Sequence, residues 1–168
     1  MTTLIHKSSR HSKITGDFAE HLVLYWLSKH GFECARVDHT GIDLIARNPY
    51  TNEVIGISVK SRSRSIGKED SSVLIKEDDI SKAQDACDSF QCVPYFAIAV
   101  DTDATIIVFI LSAKKLKEVC GGSGITQSWR MNDKALNQYR ADPDIKIVEF
   151  AITRGSWWSP VIETPASA

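Results

Sequence analysis

The chain has 168 residues, 43% hydrophobic and 24% charged, and its 20 Lys plus Arg against 21 Asp plus Glu leave a formal net charge of -1. This is the composition of a soluble globular protein of one compact domain, with a core that needs no disulfide or structural metal, and bulk charge gives nucleic acid no attraction. No apolar run reaches the ~20 residues that span a bilayer, residues 1–16 hold no secretory signal, and Cys34, Cys87, Cys92 and Cys120 lack the two-residue spacing of a zinc clamp, so a cytoplasmic chain with reduced thiols is expected.

The first element predicted is a helix over 16–30, capped by Thr15 and stopped by Gly31. Its inward face is Phe18, Ala19, Leu22, Val23, Trp26 and Leu27, with Glu20 at the rim. Strands follow at 32–37, 42–47 and 54–60, the last two joined by a turn in Asn48-Pro49-Tyr50-Thr51-Asn52-Glu53. The polar stretch 61–72 reads as a mobile loop, and 77–90 as a second helix carrying Ile80, Ala83, Cys87 and Phe90 inward. A buried hairpin is expected at 95–100 and 105–111, a glycine-rich linker at 121–124, a short helix capped by Asn132 and a strand at 145–152. The resulting organisation is a basic N-terminal arm (1–14), a core (15–120) and a C-terminal extension (121–168). The element order gives an α/β fold, a central mixed β-sheet flanked by helices, because two hairpins exclude a purely parallel sheet.

With the turn centred between Tyr50 and Thr51, Ile45 falls opposite Gly56 and Asp43 opposite Ser58. One face of the hairpin is then Ile42, Leu44, Ala46, Ile55, Ile57 and Val59. The other carries Asp43, Arg47, Ser58 and Lys60, with open space beside Gly56 and Lys60 diagonal to Asp43. Two readings fit this polar pair equally: an ion pair at exposed strand ends, or a carboxylate that holds a hard divalent cation with an ammonium beside it for a phosphate.

Gly16-Asp-Phe-Ala-Glu20 on the first helix, then Gly41-Ile-Asp43-Leu-Ile, then Gly56-Ile-Ser58-Val-Lys60-Ser-Arg62, resembles the PD-(D/E)XK nuclease superfamily, most closely the archaeal-type Holliday-junction resolvases. The resemblance runs over residues 13–118 and implies a restriction-endonuclease-like fold with Glu20, Asp43, Ser58 and Lys60 in one catalytic site. It also implies Mg²⁺ or Mn²⁺ held by Glu20, Asp43 and the Val59 carbonyl, with Lys60 positioning the attacking water or stabilising charge on the phosphate. Ser58 departs from the pattern, because the family usually has an acid there and a hydroxyl is a weaker ligand for a hard cation. A second candidate, Pro143-Asp144 before Glu149-Phe150-Ala151, lacks the lysine and is rejected.

Lys60, Arg62 and Arg64 alternate with serines, and with Lys68 they form an acid-free basic stretch suited either to phosphate contact or to a solvated loop. His21 and His39 are read as surface residues, and Trp157 and Trp158 as packing or dimer contacts. The expected function is a metal-dependent endonuclease hydrolysing DNA phosphodiester bonds, with branched or structured DNA among its substrates, RNA left open and a homodimer implied by the resemblance. The alternatives are a weakened or inactive nuclease-fold module that binds nucleic acid or a protein partner, and an interaction domain of a mobile-element or phage-defence system.

Overall fold

Strand residues 96–100 alternate strictly between two cores. Phe96, Ile98 and Val100 lie in one and Ala97 and Ala99 in the other, the period of two expected of a strand buried on both faces. The computed structural model that shows this describes residues 7–153 apart from 66, 103, 122 and 123. Its elements are α1 (His11–Lys29), β1 (Glu33–His39), β2 (Ile42–Arg47), β3 (Val54–Ser63), β4 (Val73–Lys76), α2 (Glu77–Phe90), β5 (Val93–Asp101), β6 (Thr105–Ser112), α3 (Ala113–Cys120), β7 (Thr126–Trp129), α4 (Asp133–Ala141) and β8 (Lys146–Ala151).

Six strands form a mixed sheet in the order β1-β2-β3-β5-β6-β8. Only the β3–β5 pairing is parallel, because α2 crosses over between these strands. One face is covered by α1 through Ala19, Val23 and Leu27 against Leu44, Ala46, Ile55 and Ile57. The other is covered by α2, α3, α4 and a two-stranded sheet of β4 and β7. Trp129 and Tyr139 stack at 4.0 Å between ring centroids and both meet Phe109 of β6, so the segment after the glycine cluster shares the central core. Asn132 caps α4 as expected, accepting from the Ala135 amide at 3.0 Å.

Several local expectations are corrected. α1 begins at His11, and Thr15 is no cap, because its hydroxyl donates to the His11 carbonyl at 2.7 Å inside the helix. Phe18 and Phe90 are exposed, each at the edge of its helix's apolar arc. β3 continues to Ser63, and Arg64 fastens the following loop by donating to the Ser71 and Ser72 carbonyls, both at 2.9 Å. β4, β7 and α3 were not expected. The first two are four residues long, and they find their pairing only across fifty residues of chain. Residues 154–168, with Trp157 and Trp158, lie outside the described residues.

Two glycines fix how α2 seats on the sheet. Gly41 has φ +104 and a Cβ there would stand 2.2 Å from the Lys82 carbonyl oxygen, so the chain entering β2 touches the backbone of α2. The space beside Gly56 is filled, since a Cβ there would lie 2.6 Å from the Cys87 sulfur and 2.8 Å from that of Cys92. Gly56→Ala therefore has to displace the fully buried Cys87. We expect it to lower stability by about 1–3 kcal/mol in denaturant unfolding, the usual cost of overpacking, whereas an unchanged midpoint would mean that α2 is loosely seated.

Candidate active site

The β2–β3 register is the expected one, with Leu44 opposite Ile57, Ile45 opposite Gly56 and the Asn48 amide donating to the Glu53 carbonyl at 2.8 Å. Backbone pairing ends at Leu44–Ile57. Beyond it the strands part, and the Val59 amide donates at 2.6 Å to the Asp43 carboxylate instead of to a carbonyl of β2. β2 also changes its facing here. Ile42 packs into the α2 core while Leu44 packs into the α1 core, contrary to the uniform aliphatic face expected. A register shift in β1 between Arg36 and His39, next to the Gly41 turn, accompanies this change. Asp43 thus sits in a fork of the sheet rather than flat on one face.

The other proposed residues approach the fork from different sides. Lys60 and the buried Ser58, 3% exposed, belong to the α2 face, and the Lys60 ammonium lies 3.5 Å from Asp79 in the first turn of α2. Glu20 comes from α1 and is bound by Arg36 of β1, whose Nη2 and Nε donate to one carboxylate oxygen at 2.7 and 3.1 Å. Glu20, Lys60 and Arg36 are all close enough to act electrostatically on Asp43. Burial pushes the Asp43 carboxyl above the ordinary carboxylate range. Glu20 adds to that rise, while the Val59 amide, Lys60 and Arg36 oppose it.

Arg36 and Asp79 are the two members that the sequence reading missed. Asp79 was legible in principle, because it precedes Ala83 by four residues and so shares the inward stripe of α2. It was hidden in the run Glu77-Asp78-Asp79, which reads as a solvated face. Arg36 pairs across the strands with Leu44, which puts it on the α1 side, but only the tertiary fold shows that Glu20 lies there. His21 joins this edge, with Nε2 3.4 Å from the Arg36 guanidinium.

The basic stretch is divided. Arg62 and Lys68 are exposed, whereas the half-buried Arg64 donates from Nη2 to the Ser71 and Ser72 carbonyls. A cleft of about 540 Å³ lies away from the fork, between α2 and the start of α3. Another of about 500 Å³ lies where α1 begins and β3 ends, lined by Lys7, His11, Ser12, Thr15, Ser61 and Arg62 among other residues, none of them acidic.

Among the described residues no three His, Cys, Asp or Glu side chains cluster as a preformed metal site. The donor set nevertheless suits one hard cation. Burial first, and Glu20 in addition, raise the Asp43 pKa, and magnesium is commonly held by one or two carboxylates with waters and substrate phosphate completing its shell.

The restriction endonuclease family, compared by its sequence profile, matches residues 11–85, less than half of the chain but the part that holds Glu20, Arg36, Asp43, Ser58, Lys60 and Asp79. No curated protein matches by sequence. Among solved structures, a Holliday junction resolvase from Archaeoglobus fulgidus is similar with a TM-score of 0.51 at 17% identity, over 73% of this chain and 88% of the resolvase. A bacterial homing endonuclease gives 0.45 at 13%, over 73% and 80% of the two chains, and a restriction endonuclease in complex with substrate DNA gives 0.37 at 12%, over 86% and 72%. The chain has a restriction-endonuclease-like fold, and the resemblance to the PD-(D/E)XK superfamily read from its motifs stands.

An ionised Asp43 is disfavoured by the fold, so neutralising it should help folding. Its folded pKa is raised, which means that its contribution to stability is lost as pH climbs from the unfolded value of about 3.9 through the folded one. At pH 7 we expect Asp43→Asn to melt no lower than the parent, and higher if the amide oxygen keeps the Val59 bond. The difference should close below the unfolded carboxyl value, where Asp43 is protonated in both states. A variant that is less stable at pH 7 would show that the Asp43 charge holds the fold together.

Proposed function

We propose that the protein is a metal-dependent endonuclease that hydrolyses DNA phosphodiester bonds. The observation that carries this reading is the carboxylate of Asp43 fixed in the fork between β2 and β3, with the Glu20 carboxylate approaching from the α1 side and the Lys60 ammonium from the α2 side. Glu20, Asp43 and the Val59 carbonyl would hold one Mg²⁺ or Mn²⁺, which when bound supplies a Lewis acid for a phosphate oxygen and a more acidic water.

The rest of the chemistry falls to the chain itself. Asp43 is held in place by the Val59 amide and needs no reorganisation to accept a cation. Lys60 supplies a positive charge to the phosphate oxygen on which negative charge grows, and it can orient the attacking water through its N–H bonds. Its partner Asp79 is half-buried and exchangeable, since pairs at such exposure are worth about 0–1 kcal/mol. Ser58 adds a neutral oxygen in the position where an acid is usual. The acid-free cleft beside α1 gives a phosphate backbone an approach to the fork, with Lys7, Arg62 and His11 on its walls. Branched or structured DNA is part of the proposal, in keeping with the motif resemblance, as is a homodimer that would bring two sites to two strands.

A second reading is a nuclease-fold module that binds nucleic acid or a protein partner without cutting. It is favoured by the internal pairing of Glu20 with Arg36 and of Lys60 with Asp79, and by the burial of Ser58.

Cleavage of labelled four-way junction and plain duplex DNA distinguishes the two. The nuclease reading expects Mg²⁺- or Mn²⁺-dependent nicking that excess chelator stops. Lys60→Ala should slow it by about 10²-fold or more, with DNA affinity nearly unchanged because affinity is spread over many phosphate contacts. Absence of cleavage of every substrate, with DNA still bound, would favour the module. Cleavage that persists in chelator would overturn the mechanism.

A further inference from the structure

The C-terminus of α2 closes in a Schellman turn. Gln91 takes the left-handed conformation at φ 53, its amide donates to the Asp88 carbonyl at 3.4 Å, and the Cys92 amide donates to the Cys87 carbonyl at 2.9 Å. In this motif the side chain three positions inside the helix end meets the one two positions beyond it, ordinarily as an apolar contact. Here the two side chains are thiols. Cys87 directs its S–H to the Gly56 carbonyl at 3.8 Å. Gly56 supplies the wall against which both sulfurs lean, since any Cβ there would fall within 2.8 Å of each. Cys87 is fully buried and Cys92 partly exposed.

The other two cysteines have no such arrangement. Cys34 directs its thiol to the Leu24 carbonyl at 3.7 Å on the α1 side, and Cys120 ends α3.

We propose that Cys87 and Cys92 form a reversible dithiol–disulfide couple, oxidised by a small hydroperoxide. Cys92 reacts first because it is the more exposed residue of the pair. Its thiolate attacks a peroxide oxygen, an S–O bond forms as the O–O bond breaks, and the leaving hydroxide takes up the proton that Cys92 released. Cys87 then attacks the Cys92 sulfenic acid, the S–S bond forms as the S–O bond breaks, and the second hydroxide leaves as water with the Cys87 proton. Two thiols and hydrogen peroxide thus give one disulfide and two waters, with sulfur oxidised and peroxide reduced. Burial first, and then the neighbouring Cys92, push the Cys87 thiol up to about 12, which argues against Cys87 making the first attack. The couple does not depend on the nuclease reading.

The test uses the full chain, reduced, exposed to hydrogen peroxide, quenched, alkylated under denaturing conditions and digested with trypsin. Cys87 and Cys92 share the peptide 83–114, with no Lys or Arg between them. We expect this peptide to lose both alkylation sites and about 2 Da, the mass of two hydrogens, and to recover both sites on treatment with dithiothreitol. Cys34 and Cys120 should stay alkylatable at that dose. In Cys92→Ser, Cys87 should remain a free thiol under the same exposure. The proposal is overturned if both thiols remain alkylatable while Cys34 or Cys120 is oxidised. It is equally overturned if Cys92 accumulates as sulfinic acid beside a free Cys87, or if Cys87 is oxidised as fast in Cys92→Ser.

Discussion

Where β2 and β3 part, the amide of Val59 faces a gap in the ladder, and a buried amide without an acceptor costs about 1–3 kcal/mol. Asp43 fills the gap with a carboxylate oxygen at 2.6 Å. The fold thereby fixes the group around which the site is assembled. The same bond lies where regular β2–β3 pairing ends. It also aims a half-buried carboxylate at the opening, where Glu20 on one side and Lys60 on the other act on it. The site is a consequence of how the sheet ends.

Each charged side chain around the fork already has a partner, Arg36 for Glu20 and Asp79 for Lys60. The magnitudes decide what these pairs do. Partly exposed ion pairs contribute about 0–1 kcal/mol, enough to orient a side chain but too little to keep it from a phosphate or a divalent cation. Asp43 differs, since burial raises its pKa and a nearby cation favours its ionised form. Ser58 fits the same economy of charge, because a further carboxylate at a position only 3% exposed would add repulsion in the most buried part of the site.

Much of this was legible in the sequence where one physical rule dominates. The Asn48–Glu53 turn set the β2–β3 register, and the apolar stripe of 77–90 gave α2 to the residue. What escaped depended on partners remote in the chain. Val73–Lys76 is too short to signal a strand until it meets Thr126–Trp129. Period-two alternation misplaced Ile42, because the bulge in β1 and the Gly41 turn rotate β2 where the site begins. Arg64 read as a free cation because no local pattern shows that its loop folds back under it. Glu20, Asp43, Ser58 and Lys60 were found by motif. That Glu20 and Lys60 both act on Asp43 is a tertiary fact.

The central claim is that Asp43 and Glu20 together make a cation site at this fork. Calorimetric titration of Mg²⁺, with Mn²⁺ as a second probe, into the parent protein, Asp43→Asn and Glu20→Gln tests it without DNA and without turnover. Saturable binding to the parent that is lost in Asp43→Asn and weakened in Glu20→Gln is the predicted result. Heats that are absent in the parent, or unchanged by Asp43→Asn, would contradict the account.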